Sequence, residues 1–93
     1  MLVNLVELKK ASGRYFLSKI YLNPKHIVYI SENNNIKKAL NESKYDLGLV
    51  PETTFSTIRI NDNGALSEIN VVGDPEMIEN KIFSKKRQNI LRG

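Results

Sequence analysis

Apolar and polar positions alternate along most of this chain, and the period of two predicts strands. From Leu2 to Leu8, Leu2, Val6 and Leu8 fall on one side and Val3 and Leu5 on the other, so both faces of this strand are expected to be partly covered. Lys9-Lys10-Ala11-Ser12-Gly13 reads as a turn, with Gly13 free to take a positive φ. Arg14 to Leu22 alternates again, with Phe16, Ser18, Ile20 and Leu22 against Tyr15, Leu17, Lys19 and Tyr21. Asn23-Pro24 ends it, because proline donates no ladder hydrogen bond. His26 to Ile30 is a third, strongly apolar strand.

The pattern changes after Ser31. Asn33-Asn34-Asn35 reads as a loop with an Asn cap, and Ile36, Ala39 and Leu40 are spaced i, i+3, i+4, which predicts a short helix over about 36–43. Leu47, Leu49 and Val50 alternate weakly and predict an edge segment within 45–51. A clear strand follows over 53–60, then Asn61-Asp62-Asn63-Gly64, where Asn-Gly suits a type I′ hairpin turn, and a return strand over 66–72. Asp74 is a good N-cap, Pro75 fits the first helical position and Glu76 faces the positive helix end. Met77, Ile78, Ile82 and Phe83 give that helix an apolar stripe.

The order β-β-β-(insert)-β-β-α predicts an α+β, β-rich fold: a strongly bent five-stranded antiparallel sheet or small open barrel. It has a C-terminal helix that closes it and a short helix in the 33–52 insert. The expected core is Leu5, Phe16, Ile20, Ile27, Ile30, Ile58, Ile60, Ile69, Val71, Ile78 and Ile82. Residues 1–83 form one domain, including the start of the terminal helix, and 84–93 form a basic extension.

Two stretches carry a family resemblance. Tyr21–Ile30, "YLNPKHIVYI", and Ile69–Ile82, "INVVGDPEMIENKI", resemble the FlbD/SwrD family of small flagellar and swarming-motility proteins, and similar small phage proteins. In that family a strand runs into Leu-Asn-Pro before an apolar strand, and a Val-Val strand enters a short helix rich in Glu and Ile. The resemblance covers about half the chain. It implies a compact β-rich fold with a terminal helix, and it transfers no functional residue. The segment 33–52 and the basic tail depart from the family.

Charge is unevenly placed. Residues 1–83 hold ten basic and ten acidic residues, so the net charge of +4 lies in the last ten, "SKKRQNILRG". A 93-residue chain buries only about 60–65% of its unfolded surface and is marginal as a monomer. With no cysteine there is no disulfide staple, which raises the expectation of a homo-oligomer. No apolar run is long enough for a membrane span, and Leu2–Val6 lacks the cationic flank of a signal peptide, so a cytoplasmic protein is expected. Asn41-Glu42-Ser43 is then a coincidental sequon. Asn, Ile and Lys, the residues of A- and T-rich codons, make up a third of the chain. That points to an A/T-rich genome, such as a Gram-positive bacterium or a large lytic phage.

Candidate chemistry is sparse. His26 is the lone histidine, with no acid within five residues, so neither a general base nor a metal site is indicated. Glu76 and Glu79 share a helix face but sit where the helix end favours acids anyway. Asp74 places its own carboxylate on the amides that would otherwise hold a phosphate. Asp62-Asn63-Gly64 lacks the further ligands of a calcium loop. The expectation is no enzyme, no metal and no cofactor.

Two surfaces remain. Tyr15, Lys19 and Tyr21 share one face of the second strand, and Tyr29 lies on the third, an aromatic–basic arrangement of the kind that stacks bases or seals an oligomer contact. In the tail, Phe83, Lys85, Lys86, Arg87, Ile90 and Leu91 extend the helical spacing with cations beside an apolar edge. The leading expectation is a small accessory or inhibitor protein, phage-encoded, that binds another protein. The alternatives are a nucleic-acid-binding regulator using the Tyr face and the tail, and a small-ligand (nucleotide) binder at an oligomer interface.

Overall fold

The computed structural model describes residues 2–43 and 47–92, and at 43 and 85–92 the backbone alone. Five strands and two helices follow in the expected order: β1 (Val3–Ala11), β2 (Arg14–Leu22), β3 (Ile27–Glu32), α1 (Asn34–Ser43), β4 (Phe55–Asp62), β5 (Ala65–Val72) and α2 (Pro75–Arg92). The strands form one antiparallel sheet in the order β2-β1-β5-β4-β3. The fold is α+β and β-rich.

A single 3₁₀ turn, Pro24–His26, joins the two outermost strands, β2 and β3. Asn23 caps it by accepting the Lys25 N–H at 3.0 Å. This short link forces the sheet to bend. By register, Leu22 is level with Val3, and Ile27 with Ile60 and Ser67, eight residues further along the sheet. In a flat sheet the two ends would be about 33 Å apart. Five extended residue steps reach at most about 18 Å. The sheet therefore curls strongly, but β2 and β3 do not pair, so it stays open and is not a closed barrel.

Curling gives the sheet an inner and an outer face, each with its own core. On the inner face, Val3, Leu5, Ile58 and Val71 pack with Ile78 of α2, flanked by Ile20, Leu22, Ile27, Ile30, Ile60, Ile69 and Ile82. On the outer face, Leu8 and Phe55 pack with Ile36 of α1, flanked by Tyr15, Leu17, Leu40, Leu47, Leu49 and Val72. Neighbours Val71 and Val72 enter different cores, as strand alternation requires. Both faces of β1 are covered for the same reason.

Two-residue turns set both hairpins. Ser12 and Gly13 both have positive φ (54° and 78°), as do Asn63 and Gly64 (53° and 90°), the signature of type I′. The first turn is thus tighter than expected: Lys9, Lys10 and Ala11 are strand, paired with Phe16, Tyr15 and Arg14. Helix α2 starts where expected, with Asp74 Oδ1 accepting the Met77 N–H at 2.8 Å. Fully buried Ser56 donates to the Gly73 carbonyl at 2.7 Å and ties β4 to the start of α2. Asn33 caps α1 by accepting the Asn35 N–H at 3.1 Å.

Three expectations need correction. Phe16 is not core but 43% exposed. It faces the inner side, yet the β1–β5 pairing is confined to Glu7–Val71 and Leu8–Asn70, so the hairpin tip has no layer over it. Val3, Leu8, Ile36 and Phe55, outside the expected core, are buried. The edge segment expected within 45–51 is not a strand over 47–51, where Leu47 and Leu49 instead pack beneath α1; residues 45 and 46 lie outside those described.

Candidate interaction surfaces

The tyrosines do not form one platform. Tyr15, Lys19 and Tyr21 share the outer face of β2, as expected. Tyr29 sits on β3, with three strands between it and β2 in the sheet order. It is paired beside Arg59, which is held by Glu68 at 2.8 Å. Tyr15 is partly buried in the outer core, and the Lys10 ammonium lies 5.1 Å from its ring centre. A cation–π contact of this kind already uses the ring. Lys19 is exposed, and Tyr21, at 64%, is the most exposed large apolar side chain among the described residues.

Helix α2 carries the other expected surface. Ile78 is buried and Ile82 partly buried against the sheet, while Met77 and Phe83 are exposed. Lys81 Nζ reaches the Asn4 carbonyl at 3.2 Å, an exposed tie between α2 and β1. The backbone stays helical to Arg92, ten residues past Ile82. The side chains of Lys85, Lys86, Arg87, Ile90 and Leu91 lie outside those described.

Two depressions border α1. A groove of about 210 Å³ is lined by Leu40, Leu47, Leu49, Val50 and Phe55, with Lys37 at its side. A wider cleft of about 390 Å³ opens between the β1–β2 hairpin and the start of α1, lined by Lys9, Lys10, Tyr15, Asn33, Asn35 and Asn70 among others. Two of its lining residues, Asn33 and Asn70, are joined through Thr57 by hydrogen bonds invisible in the sequence: Asn33 Nδ2 donates to Thr57 Oγ1, and Thr57 Oγ1 to Asn70 Oδ1, each at 2.9 Å. This chain joins the start of α1 to the sheet centre.

His26 meets an acid only through the fold, its Nδ1 lying 3.9 Å from Asp62 Oδ1 with both side chains substantially exposed. Among the described residues there is no cluster of three or more His, Cys, Asp or Glu placed to hold a metal ion. Among the same residues no helix is long and apolar enough to cross a membrane. No family model, curated protein or solved structure matches this chain.

Proposed function

We propose that the protein is a non-enzymatic accessory or inhibitor protein, phage-encoded, that acts in the host cytoplasm as a homo-oligomer and docks on another protein. The observation behind this reading is α2. It runs for 18 residues, about 27 Å, and among its described side chains Ile78 and Ile82 pack on the inner core while Phe83 is left 48% exposed. The ten residues beyond Ile82 match the length of a recognition helix of nearly three turns. By helical periodicity, positions 83, 87, 90 and 91 share one side, so the sequence sets Arg87 among Phe83, Ile90 and Leu91, with Lys86 at the margin. A helix side that combines apolar residues with cations suits docking of a helix in a groove.

A tail that grips nucleic acid is the competing reading, and salt separates the two. Four cations on duplex DNA give a slope of log affinity against log salt of about −3.6, a loss of roughly a hundredfold between 50 and 200 mM. Docking through Ile90 and Leu91 would draw about 3–6 kcal/mol from their burial before ordering costs, with a weaker salt dependence. The test is capture from a host lysate with and without nuclease, followed by two variants. Replacing Ile90 and Leu91 by Ser should abolish capture of the partner, while replacing Lys85, Lys86 and Arg87 by Gln should weaken it modestly. The reverse pattern, or capture lost on nuclease treatment, would refute the docking reading.

A further inference from the structure

We propose that the outer edge of β2 pairs with the same edge of a second copy, antiparallel about a two-fold axis at Ser18, to make one continuous ten-stranded sheet. This rests on the reading that the chain self-associates, and it names the surface.

The two ends of the sheet are built differently. β3 is six residues long, and a bulge at Val28 breaks its register with β4. A short, bulged strand is the usual way to blunt an edge against further pairing. β2 has nine residues in unbroken register with β1, contains no proline, glycine or bulge, and among the described residues has no strand on its other side. Over Tyr15–Tyr21 such a strand presents a straight edge, a template for another strand.

The sequence of β2 fits its own reverse. Centring the two-fold on Ser18 pairs all nine residues, whereas moving the centre one residue either way pairs seven. In this register Tyr15 lies opposite Tyr21, Phe16 opposite Ile20 and Leu17 opposite Lys19, and no like charges face each other. Aromatic–aromatic and aromatic–β-branched pairs are the favourable cross-strand combinations. A centre on Lys19 would set that lysine against itself. The chosen register also gives a neighbour to the two large side chains that β2 leaves exposed, Phe16 and Tyr21. Phe16, uncovered on the inner face of its own copy, gains the partner's Ile20, which already packs on the inner core.

The test uses the full chain, which has no native cysteine. Residues directly opposite in an antiparallel pair have Cα atoms about 4.5–5.5 Å apart, inside the disulfide window. Ser18→Cys should therefore form a disulfide-linked dimer under mild copper–phenanthroline oxidation. Tyr21→Cys, although more exposed, should crosslink roughly tenfold less, because its two copies would be about 20 Å apart. Mixing Tyr15→Cys with Tyr21→Cys should restore crosslinking between unlike copies. Wild-type protein should sediment as a dimer at micromolar concentration. A wild-type monomer would overturn both this interface and self-association, leaving the edge to a strand from another protein. A wild-type dimer in which folded Ser18→Cys crosslinks no better than Tyr21→Cys would overturn the β2 interface alone.

Discussion

Ile58 is where the fold can be tested most sharply. It is fully buried, lies between Ile30 on β3 and Ile69 on β5, and packs in the cluster that α2 closes with Ile78. Ile58→Ala removes three carbons, worth about 2.4 kcal/mol in transfer at about 0.8 kcal/mol each. The side chains around the hole come from several strands and α2, so collapse into it is limited and a cavity cost adds to this. The expected loss is about 3 kcal/mol, inside the range of about 2–5 kcal/mol for such changes. A 93-residue domain has a total stability of about 5–14 kcal/mol, so the variant loses a large part of it. With an m-value of about 1–1.5 kcal/mol/M, the urea midpoint should drop by about 2–3 M. The assay is urea unfolding followed by far-UV circular dichroism at one fixed protein concentration, since self-association would couple to folding. Leu66→Ala is the internal control, expected to cost less than about 1 kcal/mol because the side chain is 57% exposed and lies outside the proposed β2 contact. A loss below about 1 kcal/mol at Ile58, or a larger loss at Leu66 than at Ile58, would refute the assignment of the inner face.

Asp74→Ala removes the α2 cap and should cost about 1 kcal/mol, read as a fall in Tm of roughly 4–8 °C. Ser56→Ala leaves the buried Gly73 carbonyl without its hydroxyl donor and should cost about 1–3 kcal/mol by the same urea assay; no change would mean that this bond contributes nothing. Gly64→Val forces a β-branched residue to φ +90° in the second hairpin and should destabilise by at least about 1–2 kcal/mol, whereas an unchanged Tm would mean that the turn is not type I′.

Local periodicity carried most of the secondary structure, because each strand has a covered face and each turn its own chemistry. Asn63-Gly64 and Asp74-Pro75 act within a few residues, so their effects are visible in the chain itself. What periodicity cannot give is lateral order. Parity placed Phe16 on the same face as Ile20 correctly, but only the limited β1–β5 pairing decides that Ile20 is covered and Phe16 is not. The same limit applies to the tyrosines: alternation puts Tyr21 and Tyr29 on strand positions, while the sheet order sets them on strands at opposite ends of the row. Likewise the hydrogen-bond chain from Asn33 through Thr57 to Asn70 joins residues 24 and 13 apart, beyond the reach of any local pattern. The bend of the sheet was nevertheless implicit in four residues. Asn23-Pro24-Lys25-His26 is too short to cross a flat sheet from one edge to the other, so a chain that puts β2 and β3 at opposite ends of the strand order must curl to connect them. Once curled, the sheet has an inner face with room for one helix, and α2 fills it with Ile78 and Ile82, while α1 lies on the outside through Ile36. Curling without closure leaves β2 at the end of the strand order, with no further strand beside it among the described residues, and the sequence that keeps it regular, with no proline, glycine or bulge, keeps that edge a template for a second strand.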